Sequence, residues 1–160
     1  MGRFQRLTDD ELQALEKEFV DFLSVQGITA SDWIRIKEEE PERADYCIEQ
    51  FSDLVYGAVM MRIEYLELRT PHKLYSYHCA ADKINVMGLE SDHPETDFTD
   101  AAFIERSITQ PPADLRIFAG EKAYDGRRED EIFRMLSSGC TTADGVLFET
   151  LKKLSDGSSV

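Results

Sequence analysis

Thr70-Pro71-His72-Lys73-Leu74-Tyr75-Ser76-Tyr77-His78-Cys79 runs through Ala80-Ala81-Asp82 into Lys83-Ile84-Asn85-Val86-Met87-Gly88-Leu89. Before Thr70 the apolar residues recur at helical spacing, and after it they alternate, which is the signature of strands with two distinct faces. Tyr75, Tyr77 and Cys79 share one face of the first strand, with Leu74, Ser76 and His78 on the other. Ala80-Ala81-Asp82 supplies a turn, so the stretch reads as a β-hairpin. A proline after Thr70 breaks any helix arriving from the N-terminal side.

Working back from the hairpin, Pro41 opens the longest helix, and Ala44, Ile48, Phe51, Val55 and Val59 trace one face of it, with Leu54, Met61 and Tyr65 widening that face. Gly57 in its middle suggests a close crossing with another helix. Upstream, Thr8-Asp9-Asp10-Glu11 is a capping box that starts a helix through Leu12, Leu15, Phe19, Phe22 and Leu23 to Gly27. A second helix starts at Thr29 or Ser31 and carries Trp33, Ile34 and Ile36. Working forward, Glu90 to Asp100 is an acidic loop. A short helix follows around Ala101 to Ile108, then a third strand at Leu115 to Ala119, a helix from Glu129 to Leu136 stopped by Gly139, and a last helix from Thr141 or Thr142 to Leu154. Residues 155–160 read as a frayed tail. The class is α+β: a helical N-terminal half packed on a small antiparallel sheet of about three strands, with additional C-terminal helices. Residues 1–160 are expected to form a single domain, and Thr70-Pro71 is the one place where two lobes could divide.

Composition narrows the function. With 18 Lys and Arg against 32 Asp and Glu, the net charge is −14. That balance argues against nucleic acid, whose binding draws on basic side chains. The excess is shared: residues 1–70 carry 8 basic and 16 acidic side chains, residues 71–160 carry 10 and 16. No run of 18 apolar residues exists to span a membrane. The opening Met-Gly-Arg-Phe-Gln-Arg lacks the apolar core of a signal peptide, and the odd set Cys47, Cys79 and Cys140 reads as free thiols. The expected location is the cytoplasm. Homo-oligomerisation is left open.

Catalytic signatures are missing. There is no phosphate-binding glycine loop, no Gly-x-Ser-x-Gly elbow and no Cys-x-x-Cys, and His72, His78 and His93 lack helical metal spacing. No cofactor and no metal is expected. The Glu90–Asp100 run has five carboxylates and one imidazole with no Lys or Arg, but it lacks the order of a calcium loop and reads as solvated. Cys140 precedes the expected last helix, where a helix dipole would lower its pKa; the alternative is a buried filler among turn residues. Tyr75, Tyr77 and His78 are the candidate ligand-binding residues, an aromatic stripe able to line a pocket between the hairpin and the long helix. Packing between sheet and helices explains the same tyrosines without a ligand. Two functions stand side by side: a non-catalytic acidic interaction or adaptor protein with a basic protein partner, and a small ligand-binding domain or enzyme.

Arg6-Leu7-Thr8-x-x-Glu11-Leu12, Glu16-Lys17-Glu18-Phe19-Val20-Asp21-Phe22-Leu23, Gly27-Ile28-Thr29-Ala30-x-Asp32-Trp33, Glu64-Tyr65-Leu66-Glu67, Thr70-Pro71 and Gly88-Leu89 together resemble a small bacterial family that carries only a domain-of-unknown-function label. The resemblance spans most of the chain. It implies a bacterial, cytosolic protein, and it brings no catalytic residues with it.

Overall fold

A computed structural model describes residues 2–157. The chain divides into two compact units, residues 1–61 and 62–160.

The first unit is helical: α1 (Asp9–Ala14), α2 (Glu16–Val25), α3 (Ala30–Glu39) and α4 (Pro41–Arg62), the last reaching one residue past the boundary. Thr8 and Glu11 close the expected capping box, and Thr29 with Asp32 closes a second one. The single first helix expected from the sequence is instead two, with Leu15 ending α1 and beginning α2. Leu7, Phe19, Leu23, Ile28, Ile36, Ala44, Cys47 and Phe51 form the core. Trp33 stands edge-on to Phe19 at 5.2 Å, as a packing residue would. Gly57 meets only the Phe4 ring, at 3.8 Å from where a Cβ would lie, so no close helix crossing explains it.

The second unit is α+β. Its strands are β1 (Tyr65–Arg69), β2 (Lys73–Cys79), β3 (Lys83–Glu90), β4 (Arg116–Ala123) and β5 (Thr141–Ala143), with α5 (Ala101–Thr109), α6 (Arg128–Ser137) and α7 (Val146–Gly157). The sheet therefore has five strands, not about three, in the order β4-β3-β2-β1-β5, and every neighbouring pair is antiparallel. The expected hairpin is β2 and β3. Thr70-Pro71 is the turn of another hairpin, in which the Thr70 amide donates to the Lys73 carbonyl at 2.8 Å. Tyr65, read as the end of the long helix, pairs with His78 in β1. Thr141 and Thr142, read as a helix start, pair with Glu67 and Leu66 in β5. Ser155 to Gly157, read as tail, belong to α7, and residues 158–160 lie outside the described residues.

The sheet's two faces follow from the register. Leu66, Leu68, Tyr75, Tyr77, Cys79, Ile84, Val86, Gly88, Phe118, Gly120 and Lys122 lie on one, which we call the tyrosine face. The opposite face carries Leu74, His78, Met87 and Leu89; α5 and α7 cover it through Ile104, Phe148 and Leu151, with Phe98 fully buried between. No helix among the described residues is long and apolar enough to cross a membrane.

Candidate functional site

The tyrosine face is roofed by α6, and two devices hold that helix in place. At its start the Arg128 guanidinium donates to three main-chain carbonyls: Cys79 at 3.0 Å, Ala80 at 3.3 Å, and Ile63. The Tyr124 hydroxyl donates to the Ala80 carbonyl at 2.6 Å. These carbonyls lie where β2 ends and where α4 gives way to β1, positions at which ladder bonding stops and acceptors need another donor. At its end Gly139, at φ 112°, reverses the chain: the Cys140 amide donates to the Met135 carbonyl at 3.0 Å and the Gly139 amide to Leu136 at 3.2 Å. That is a Schellman closure, and only glycine adopts its φ without strain. It delivers the chain directly into β5.

Ile132, fully buried, packs beneath the helix, while Glu131, Arg134, Met135 and Ser138 follow one another at helical spacing along a cavity of about 600 Å³. The cavity's other walls are Leu68, Tyr77, Ile84, Val86, Phe118, Gly120 and Cys140, with Glu121 and Lys122 of β4. Most of this lining is apolar, and the charged groups stand at one side.

Those charged groups are organised around Glu131, which is 5% exposed. Lys122 Nζ lies 2.5 Å from its Oε1 and Arg134 Nη2 lies 2.7 Å from its Oε2. Arg134 Nη2 also donates to the Asp125 carbonyl at 2.7 Å. The Lys122 hydrogen bond, helped by Arg134, holds the Glu131 carboxyl below its ordinary range against the opposing effect of burial. Its neighbour Glu121 is taken up by Lys83 at 2.9 Å.

Of the three expected binding residues, only Tyr77 lines this cavity. Tyr75 is a packing residue. Its ring meets Phe118 edge-on at 5.3 Å, and its hydroxyl donates to Glu90 Oε1 at 2.7 Å. Burial, then that hydrogen bond, pushes the Tyr75 phenol up to about 12. Phe118 itself lies over Gly88, its partner in register; a Cβ there would stand 2.1 Å from the ring's Cζ. The glycine makes room for the ring. His78 is on the far face, stacked on Tyr65 at 4.8 Å, where it borders a separate cavity of about 350 Å³ with Asn85, Phe148 and Lys152. Alternation along β2 had already separated it from the tyrosines.

Cys140 precedes a strand, not a helix, and follows the C-terminus of α6, so no positive helix end lies beside it to lower its pKa. Burial pushes its thiol up and pushes Cys79 up to about 11. Both are protonated at neutral pH, and only Cys140 borders the cavity. The Glu90–Asp100 loop is also organised differently from its sequence. Arg116, remote in sequence, reaches Asp92 at 3.2 Å and Glu90 at 3.5 Å. Asp97 accepts from the Thr99 amide at 3.0 Å, and Asp100 caps α5. Ser91, fully buried, bonds Thr96 and Asp114 at 2.9 Å each. Among the described residues no three His, Cys, Asp or Glu side chains converge as a metal site would require.

Phe118, Lys122, Glu131, Arg134 and Met135 escaped sequence reasoning. The spacing of Glu131, Arg134, Met135 and Ser138 was the available signal, but it reads as an ordinary helix face until a strand is placed opposite it.

Neither the curated proteins nor the solved structures include a match to this chain. A family model does match, over residues 1–156, and it is described only as a family of unknown function. The chain belongs to that family, DUF6495.

Proposed function

We propose that the second unit is a non-catalytic binding domain for a small, largely apolar ligand seated between α6 and the tyrosine face of the sheet. The cavity carries the reading. Its volume of about 600 Å³ falls in the ordinary range of small-molecule sites, and it combines an apolar floor with a few fixed polar groups at one side. Chemistry is poorly supported there: none of the three histidines borders the cavity, and the one thiol that does is kept protonated by burial.

The test is a thermal-shift and fluorescence screen of the full chain against metabolites and the neutral apolar probe N-phenyl-1-naphthylamine. A ligand at ten times its Kd should raise stability by about 1.4 kcal/mol. Val86→Trp, which fills the floor, should abolish probe binding while leaving the fold intact. If no compound raises the melting temperature and the probe binds both proteins alike, the proposal fails.

A second reading, docking of a basic protein partner, is supported by the net charge of −14 and by the exposed Tyr46, Leu54 and Met61 of α4. Retention of a defined partner at low salt and its release at high salt would test it. The proposed setting is the bacterial cytosol, supported by three buried free cysteines and the family resemblance.

A further inference from the structure

We propose that the ligand of this cavity is a small amphipathic carboxylate whose head group is held by Lys122, with Arg134 beside it; the inference rests on the cavity being a ligand site. It follows from counting donors and acceptors at the charged side. Glu131 has two carboxylate oxygens, and each already faces a cation, Lys122 on Oε1 and Arg134 on Oε2. Lys122 has three ammonium donors and uses one of them there. Arg134 uses Nη2 for both Glu131 and the Asp125 carbonyl, which leaves its Nε and Nη1 donors for another acceptor. The cavity side thus has donors to spare, while both Glu131 oxygens are engaged and Glu121, also on the lining, is paired through Oε2 with Lys83.

Exposure supports the same assignment. Glu131's side chain is 7% exposed, whereas Lys122 and Arg134 are 60% and 51% exposed. The buried carboxylate is an anchor that fixes where two half-exposed cations stand, next to Phe118 and Tyr77. A ligand ammonium would meet those cations head-on, and an uncharged head would leave their strongest hydrogen bonds unused. Asp125 and Asp130 also act on Arg134, which weakens its pull on a second anion. Lys122 is paired with Glu131 and is the more exposed of the two cations, so it is the primary contact. The apolar floor of Leu68, Val86 and Phe118 then takes the body of the molecule.

Two probes with the same two-ring body separate this inference from the cavity reading: 2-naphthoate, which carries a carboxylate, and 2-naphthylmethanol, which is neutral. Titrated into the full chain, the naphthoate should bind about tenfold tighter, the effect of one charge-assisted hydrogen bond, and its binding alone should weaken as salt is raised. Lys122→Met with Arg134→Met should bring the two affinities within twofold, and Lys122→Arg should retain the preference. Because Lys122→Met leaves a buried carboxylate half-paired, the same comparison in Lys122→Met with Glu131→Gln guards against a result that only reflects unfolding. Equal affinities in the parent protein, or a preference that survives the double substitution, overturn the carboxylate assignment and leave the cavity reading standing. Failure of both probes to bind overturns both.

Discussion

Gly88→Ala tests how the tyrosine face is built. The new Cβ would stand 2.1 Å from Phe118 Cζ, 2.3 Å from Cε1 and 2.8 Å from Cε2, so the ring must leave. Leaving forfeits the edge-on contact with Tyr75 at 5.3 Å, a pair of a type worth about 0.5–1.5 kcal/mol. It also exposes part of a half-buried phenyl, at about 1 kcal/mol, given about 1.5–3 for full burial of such a ring. Alanine recovers about 0.5–1 kcal/mol of backbone entropy relative to glycine in a strand. The net cost is therefore about 0.5–2 kcal/mol. The informative measurement is a double-mutant cycle with Phe118→Ala, by urea unfolding followed through near-ultraviolet circular dichroism of the tyrosines. Four of the six, Tyr65, Tyr75, Tyr77 and Tyr124, belong to the second unit, whereas Trp33 reports on the first. With Phe118 already removed, Gly88→Ala should become neutral or stabilising. Should it cost as much without the ring as with it, the claim that the glycine exists to seat Phe118 is wrong.

Other consequences follow from the same unit. Glu131→Gln should cost about 1–3 kcal/mol at neutral pH, a figure reduced from that of a fully buried pair because both cations are half in water. Its depressed pKa means the carboxylate's stabilisation is present above the unfolded value near 4.3 and is lost as pH falls through the folded value, so urea midpoints of parent and variant should converge in acid. Tyr75, raised to about 12, should be among the last phenols to ionise in an absorbance titration at 295 nm, and Tyr75→Phe should remove that late step. Its raised value carries stability that is intact below about pH 10 and lost as pH rises toward 12, so alkaline unfolding should shift in Tyr75→Phe. Arg128→Met removes the guanidinium donors from the carbonyls of Ile63 and Cys79, and from Ala80, which keeps Tyr124, and should cost about 2–3 kcal/mol, with faster hydrogen exchange in α6 than in α7.

The parts of this structure that were legible in the sequence are those fixed by local chemistry. Thr8 to Glu11, the alternation from Leu74 to Cys79 and the stop at Gly139 each carry their reason within a few residues, and each is present. What was hidden is what pairing across the chain decides. Tyr65-Leu66-Glu67-Leu68-Arg69 contains good helix formers and follows a helix without a glycine or proline between, so only the ladders with β2 and β5 make it a strand. Thr141-Thr142-Ala143 is three residues long and looks like a cap. The site suffered accordingly: Tyr77 was visible on its strand, but Leu68 came from an unseen strand and Glu131 acquires meaning only from Lys122, nine residues back on β4. Sequence spacing could say that Tyr75 and Tyr77 share a face and that His78 does not; it could not say that Tyr75 would be spent on Phe118 and Glu90.

The strand order also sets a schedule for folding. β1 through β4 pair each with the next in sequence, and β1–β2 and β2–β3 are joined by short turns, so their loops close cheaply and early. β5 is the exception, since residues 141–143 must return to 65–67 across the whole of the intervening chain. As the protein is synthesised, the outer edge of β1 stays bare until those three residues exist, with Leu66 and its neighbours offering unpaired main-chain groups to any other extended chain. The arrival of Thr141 to Ala143 thus covers Tyr65 to Glu67 on that edge and leaves a strand of only three residues as the new border of the sheet, and because Gly139 joins them to α6, the same short strand ties down the end of the cavity's roof.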